Sequence, residues 1–274
     1  VEIYSEYNEK DLDYIQGDKR ITDVVIISTN DAAESLFQIE KLIRALKNIP
    51  HVNAVRLRSL KFNYEPEIYT PAVIDKLGGM NKVAAVHPLR LEIETQFLVA
   101  DELKPLHSYL SRLLKNKGIT VYSNTPLLGR INDTPEAVHD LSYGCRKSGI
   151  EFHHLYVAGL PVQEQWNKNH PIALYDIVDI ASRVRREGSG REIPRYIIRT
   201  VLGEVDFGLT STILGEGEKL LIKLLSYDLN YFRAMSAGFS WPPGIEEDPD
   251  GNPIVPMVGL LNTTGFVLSR SAGD

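Results

Sequence analysis

The amino-acid sequence predicts an α/β fold, an incomplete parallel (β/α) barrel of about six strands followed by a C-terminal β-rich appendage. Three features carry that prediction. Between residues 22 and 205, short β-branched runs alternate with amphipathic stretches at helical spacing, which implies right-handed crossovers and a parallel sheet, curled or open. Beyond residue 206 the rhythm changes to short apolar runs broken by turns. Within the repeat, Arg90-Leu91-Glu92-Ile93-Glu94-Thr95-Gln96-Phe97 alternates polar with apolar residues, whereas strands covered by helices are usually apolar on both faces. An unpaired buried carboxylate is costly, so this polar row predicts a lined cavity.

Each element follows from its local pattern. Residues 1–21, with Glu2, Glu6, Glu9, Asp11 and Asp13, read as a helical lead-in. Residues 23–28 (DVVIIS) read as a buried strand, and 34–49 as a helix with Leu36, Ile39, Leu42, Ile43 and Leu46 on one face. The second strand is 54–60, and a short helix over 71–77 follows, capped by Thr70 with Pro71 in its first turn. The third strand is 91–97, and the helix 101–117 after it is stopped by Gly118. The fourth strand is 119–124, and the helix 134–147 is entered through Asn132-Asp133-Thr134-Pro135. A fifth strand at 150–157, a helix over 172–186 and a sixth strand at 195–201 complete the repeat. In the appendage, 206–274, the segments 207–214, 254–261 and 265–268 read as strands, with Asp250-Gly251-Asn252-Pro253 as a hairpin turn. An open barrel exposes a sheet edge, which predicts pairing into a homo-oligomer unless residues 1–20 or the appendage cover it.

Composition narrows the function. Of the 274 residues 43% are hydrophobic and 24% charged, as in ordinary globular proteins. A net charge of −6 disfavours a nucleic-acid partner. No apolar run approaches the roughly 20 residues of a membrane helix, and no basic-then-apolar signal segment stands at the start, so neither a membrane partner nor export is expected. The single cysteine, Cys145, fits a reducing cytoplasm. It also excludes an internal disulfide and any cysteine-clustered zinc or iron–sulfur site made by this chain alone.

In parallel α/β sheets chemistry sits just past the carboxyl ends of the strands. Those positions hold Ser28 and Asp31, then Arg56 and Arg58, then Glu92, Glu94 and Gln96, then Tyr122 and Asn124, then His153, His154 and Tyr156, and finally Arg199. Mixed charge of this kind suits a small polar ligand. Structural alternatives stand beside it. Arg56 with Glu92 or Glu94 can form an ion pair across neighbouring strands. Alternation turns only one of His153 and His154 inward, and strand histidines are commonly hydrogen-bonded core residues. The two histidines lack metal-helix spacing, so no metal site is predicted. Cys145 reads as a packing residue, and Gly215-Glu216-Gly217-Glu218-Lys219 as a turn, because neither phosphate-loop spacing nor a strand-to-helix setting surrounds it.

Further stretches, taken in order, carry a resemblance. They are Asp23-Val24 through Ser28-Thr29-Asn30-Asp31, Asn48-Ile49-Pro50-His51-Val52 through Val55-Arg56-Leu57, Thr70-Pro71-Ala72-Val73, Glu94-Thr95-Gln96-Phe97, and Ser123-Asn124-Thr125-Pro126-Leu127-Leu128-Gly129-Arg130-Ile131-Asn132-Asp133, continuing through His153-His154-Leu155-Tyr156. Together they resemble the lysine 2,3-aminomutase group of radical S-adenosylmethionine (SAM) enzymes, whose counterparts end in Ser-Gly-Gly-Asp and read IPHV…VRI, TPELV, Asn-Thr-His-Phe and NQSVLLRGVND. The resemblance covers about residues 20–205. It implies that Asp31, with Ser28, meets the SAM amino group, that Arg56 helps at its carboxylate, and that Asn124 lies on the cofactor side. Glu94, Gln96, His154, Tyr156 and Arg199 would line the substrate side.

The departures from the family pattern shape the expected function. Its Cys-x3-Cys-x2-Cys loop, which ligates a [4Fe–4S] cluster, has no counterpart here, and this chain begins just downstream of where the loop would fall. The expectation is therefore the cluster-less portion of a longer enzyme, inactive alone, whose SAM and cluster depend on an upstream segment. The family's pyridoxal-phosphate lysine would fall in 201–207 (VLGEVDF), which contains no lysine, so a Schiff base there is excluded. The two aspartates that hold a lysine ammonium match Gly159 and Arg199, so a lysine substrate would be repelled, and an amino acid or related polar acid bearing a carboxylate or phosphate would suit Arg199. Thr29-Asn30 in place of Gly-Gly narrows the room for the methionine end of SAM. Two alternatives come from other classes: a non-catalytic aminomutase-like binding or scaffold protein, and an unrelated α/β-barrel hydrolase or lyase with Glu92 or Glu94 as base.

Overall fold

The computed structural model describes residues 1–81, 89–207, 211–225 and 227–262; the expected strand at 265–268 lies outside them. The chain divides into two compact units, Val1–Asn124 with Leu141–His153, and Thr125–Asp140 with His154–Asp274.

The first unit contains β1 (Glu2–Tyr4), α1 (Glu9–Gly17), β2 (Asp23–Ile27), α2 (Leu36–Leu46), β3 (Ala54–Arg58), α3 (Lys61–Tyr64), α4 (Pro71–Met80), β4 (Arg90–Thr95) and α5 (Pro105–Asn116). The chain then passes between units along β5 (Thr120–Pro126), α6 (Pro135–Lys147) and β6 (Glu151–Ala158). Strands β1 to β5 are parallel neighbours in chain order. Their apolar positions, Val24, Ile26, Val55, Leu57, Leu91 and Ile93, are buried. So are the apolar stripes of α2 (Ile39, Leu42, Ile43, Leu46) and α4 (Ile74, Leu77, Met80). Each large aliphatic side chain so buried contributes about 1.5–3 kcal/mol.

Local signals set the helix ends. Asn8 and Asp11 form a reciprocal capping box on α1, and Thr70 accepts from the Val73 N–H with Pro71 in the first turn of α4. Gly118, at φ +75°, follows α5 in the left-handed conformation.

Two strands go beyond the expected six. The lead-in contains its helix, but residues 2–4 form β1 and pair in parallel with β2, Glu2 opposite Val25. With three residues and only Ile3 buried, that strand carries too little periodicity to stand out from acidic sequence. In the second unit β6 pairs in parallel with β7 (Arg195–Thr200), and β8 (Gly203–Asp206) turns back antiparallel on β7. Gly203 at φ +119° and the Thr200 hydroxyl, which accepts from the Leu202 N–H, make that turn. Among the described residues the main α/β sheet has eight strands, mostly parallel with β8 antiparallel, rather than about six.

The second unit also holds α7 (Pro161–Asn167), which the helical patterns did not predict, and α8 (Leu174–Glu187). The appendage is a separate antiparallel sheet of β9 (Ser211–Glu216), β10 (Lys219–Leu224), β11 (Glu246–Glu247) and β12 (Pro253–Leu261), in the order β11-β12-β10-β9, with α9 (Leu229–Met235) between β10 and β11. Its predicted turn is built on Asp248, whose carboxylate accepts from the Asp250 and Asn252 N–H groups and from Lys223 Nζ. Burial opposes the Asp248 charge, but the Asn252 and Lys223 hydrogen bonds outweigh it and hold the carboxyl down at about 2.

Candidate functional site

In the first unit the register places Glu2, Asp23, Arg56, Arg58, Glu92, Glu94 and Tyr122 on one face of the sheet. The polar row of β4 is a ladder of ion pairs. Arg56 Nε donates to Glu92 at 2.9 Å, Arg58 Nε to Glu94 at 2.9 Å, and Arg58 Nη2 to Glu2 at 2.7 Å. Glu92, with no exposed side-chain surface, also takes Arg90 at 2.5 Å and the Tyr122 hydroxyl at 3.3 Å. Burial opposes the charges of Arg56 and Arg58, yet the facing carboxylates hold both guanidinium groups above their ordinary values. The Arg56 guanidinium also lies over the Tyr122 ring, and His153 meets that ring edge-on at 5.2 Å.

Asp31 lies just past β2 and is buried. One of its oxygens accepts from the Ser59 hydroxyl at 2.7 Å and the Ala33 N–H at 3.0 Å, and the other from the Lys61 N–H at 3.1 Å. The Tyr69 hydroxyl donates in turn to Ser59 at 2.7 Å, and burial holds the Tyr69 phenol above its ordinary value. Asp31 therefore pins its own turn and the start of α3, and an ammonium ligand would meet a carboxylate that already accepts three hydrogen bonds. Near it in sequence, Ser28 Oγ is buried with no hydrogen-bond partner among the described residues, and so is Asn124 Oδ1 on β5. Such atoms are uncommon and mark where a ligand's polar group could bind. Gln96 follows β4, half-buried, and its carbonyl accepts from Asn63.

The remaining expected residues lie in the second unit. The Tyr156 hydroxyl donates to Glu204 at 2.6 Å, and the His154 ring stands edge-on to Tyr156 at 5.8 Å. Arg199 is opposite Glu204 in the β7–β8 ladder. Gly159 is at φ +97°, and a Cβ there would come within 1.8 Å of the Arg199 carbonyl oxygen, so a side chain is sterically excluded. The stretch 127–130 is anchored from α7: Gln163 Nε2 and Asn167 Nδ2 donate to the Leu127 carbonyl, and Trp166 donates to the Gly129 carbonyl at 2.9 Å. The resembled family reads Arg-Gly where this chain reads Gly129-Arg130. Here Arg130 takes the left-handed conformation at φ 62°, while Gly129 leaves no room for a Cβ against His170 O.

Sequence reasoning missed Ser59, Tyr69, Glu204 and His107. Ser59 stands just past β3, where the strand-end rule applied to every strand would have found it. His107 Nδ1 accepts from the Lys104 N–H at 2.8 Å and Nε2 faces the Asn63 carbonyl at 2.9 Å, a role carried by the third position of α5.

Cys145 is buried on α6, and burial, then the charge of Glu102, pushes its thiol up to about 12. Thiolates are the ligands of iron–sulfur clusters, and this chain has one cysteine, protonated at neutral pH. Among the described residues no group of three His, Cys, Asp or Glu side chains is arranged to hold a metal ion. The residues present do not fit a [4Fe–4S] cluster.

An α/β chain with charged and polar side chains at its strand ends belongs with the parallel-sheet enzymes and binding proteins in architecture. Its sequence relatives narrow this. An Aquifex aeolicus protein named for L-lysine 2,3-aminomutase is 24% identical over 202 residues, covering 71% of this chain and 51% of its own. The L-lysine 2,3-aminomutase of Clostridium subterminale is 23% identical over 190 residues (69% and 43%), and the glutamate 2,3-aminomutase of Clostridioides difficile 24% over 195 residues (71% and 44%). The aminomutase resemblance seen in the strand motifs is borne out by these relatives. The chain spans about half the length, or less, of the curated relatives it matches. No protein-family model matches. A chitinase from Chromobacterium violaceum superposes with a TM-score of 0.36 at 9% identity, covering 94% of this chain and 85% of its own, which establishes no common fold. No helix among the described residues is long and apolar enough to cross a membrane.

Proposed function

We propose that this chain is the cluster-less portion of a radical-SAM aminomutase-like enzyme whose substrate is an amino acid or related polar acid carrying an anionic group, not lysine. The observation that carries the substrate half is the contact at Gly159. Its backbone lies against the Arg199 carbonyl so closely that an aspartate cannot replace it, and Arg199 puts a guanidinium where the family resemblance places a second aspartate. Negative charge for a lysine ammonium is thus absent from both positions, and positive charge for a carboxylate is present at one. The glutamate 2,3-aminomutase among the relatives supports the same direction. Ser28 and Asn124, whose buried oxygens have no hydrogen-bond partner among the described residues, are the residues best suited to meet a cofactor, and Arg56, Asp31, Glu94 and Gln96 would support them from their strand ends. His154 and Tyr156 would line the substrate side with Arg199. No chemical step is assigned to a cluster, which these residues cannot hold.

The test uses the product of the complete reading frame. L-Glutamate should bind saturably, L-lysine at least about tenfold more weakly, and Arg199→Ala should cost glutamate about tenfold. Lysine binding as tightly as glutamate, or an unaffected Arg199→Ala variant, would refute the substrate assignment. The second reading, a binding or scaffold protein without radical chemistry, is favoured by the lone, buried, protonated Cys145. Anaerobic iron–sulfur reconstitution separates the two: thiolate-to-iron absorbance supports the enzyme, and its absence the scaffold. The hydrolase or lyase reading fares worse, because Glu92 and Glu94 would each have to leave a guanidinium to act as a base.

A further inference from the structure

We propose that His107 is a pH-sensitive latch: when neutral it ties the loop between β4 and α5 to α3, and its protonation releases that loop. His107 stands in the first turn of α5 and is 1% exposed. Its Nδ1 accepts from the Lys104 N–H at 2.8 Å, and a backbone N–H only donates, so Nδ1 carries no proton. The proton of the ring is therefore on Nε2, which donates at 2.9 Å to the Asn63 carbonyl. One neutral tautomer satisfies both partners, and the imidazolium satisfies only the second. A proton added at Nδ1 would meet the Lys104 N–H, donor against donor, in a buried position.

The ring carries more than its own helix. Asn63 of α3, whose carbonyl it holds, donates from Nδ2 to the Gln96 carbonyl at 2.8 Å and to Glu102 at 3.2 Å. The same Glu102 oxygen accepts from the Leu98 N–H at 2.6 Å. Residues 96–104 are thus fastened near their start through Asn63 and at their end through His107. The surroundings offer a cation little. The Phe62 and Phe97 rings, both fully buried, lie against the imidazole with centroids at 5.8 and 5.0 Å. The charged groups facing it are Glu67, in the turn before α4, which favours a cation, and Lys104 at its own helix start, which opposes one; Glu102 is reached through Asn63. Burial outweighs the carbonyl hydrogen bonds and Glu67 and holds the ring below its ordinary value. The closed loop therefore loses stability as the pH falls from about 6.5, where the released ring titrates, to the lower midpoint of the folded ring.

The experiment follows the full chain by NMR between pH 7.5 and 5. At neutral pH the imidazole nitrogens should show the proton on Nε2, with a titration midpoint below about 6.5. Hydrogen exchange at Leu98 and Lys104, corrected for its intrinsic pH dependence, should reveal opening that rises by up to about tenfold per pH unit within that window. The amides of β2 and β3 should show no such rise. His107→Gln should abolish the rise, whereas Glu102→Gln should keep it, since the imidazole and not the carboxylate is the trigger. A folded ring that titrates at or above 6.5, a proton on Nδ1, or opening that ignores pH would overturn the latch. So would a rise that survives His107→Gln or vanishes in Glu102→Gln. Should His107→Gln not fold, the ring titration and the Glu102→Gln exchange series still decide. The latch does not rest on the substrate assignment at Arg199, so either proposal can fail alone.

Discussion

Replacing Glu92 by Gln removes negative charge at the point where Arg56, Arg90 and Tyr122 converge at 2.9, 2.5 and 3.3 Å. Breaking a fully buried ion pair from one side costs about 3–5 kcal/mol, because the other charge is left without a partner. Here Arg56 and Arg90 keep 24% and 62% of their side-chain surface exposed, so both can recover water. Glutamine also retains an acceptor of the same shape. The expected loss is therefore smaller, about 2 kcal/mol. Arg56→Met leaves Glu92 paired with the more exposed Arg90 and should cost about 1–2 kcal/mol. The double variant Arg56→Met with Glu92→Leu should cost less than its two single changes together, with a coupling of about 1–3 kcal/mol. The assay is hydrogen exchange of the amides in β3 and β4 across a urea series, which follows these strands without assuming that both units unfold together. A loss below about 0.5 kcal/mol for Glu92→Gln, or strict additivity in the cycle, would show that the ladder is solvated and that burial does not set its energy.

Two further outcomes test other parts of the structure. His107 is held below its ordinary value, first by burial, so its neutral ring is favoured in the folded state; the stability this gives is present above the unfolded value near 6.5 and is lost as the pH falls below it. The urea midpoint should fall between pH 7 and about 5 and a His107→Gln variant should flatten that slope, while an unchanged slope would remove His107 as its cause. Gly159→Ala should lower stability by upward of about 3 kcal/mol or prevent folding, because left-handed strain adds to a collision with the Arg199 backbone; an unaltered thermal midpoint would refute the close approach.

The six central strands were legible because β-branched runs of five to eight residues carry a clear period. Strand β1 was not, since a single buried Ile3 in three residues gives no pattern. Strand β8 was hidden by a turn whose geometry depends on Thr200 and Gly203 rather than on hydrophobicity. At the site, the arginines of β3 and the glutamates of β4 were visible as a polar face, and their pairing was among the alternatives. Which arginine meets which glutamate depends on strand register, and alternation alone leaves that open. Asp31 illustrates the limit most clearly. Its donors Ser59 and Lys61 come from a different strand end, so local sequence shows a carboxylate after a strand but not the groups that already occupy it.

The charges on β3 and β4 also act as an alignment code during folding. Sliding β4 by two residues would keep every apolar side chain on its proper side, so hydrophobicity alone permits the error. In one direction the slip sets Arg56 opposite Arg90; in the other it moves Arg58 from Glu94 to Gln96. Either misalignment leaves a guanidinium facing a like charge or a neutral amide, and only the observed register matches all four.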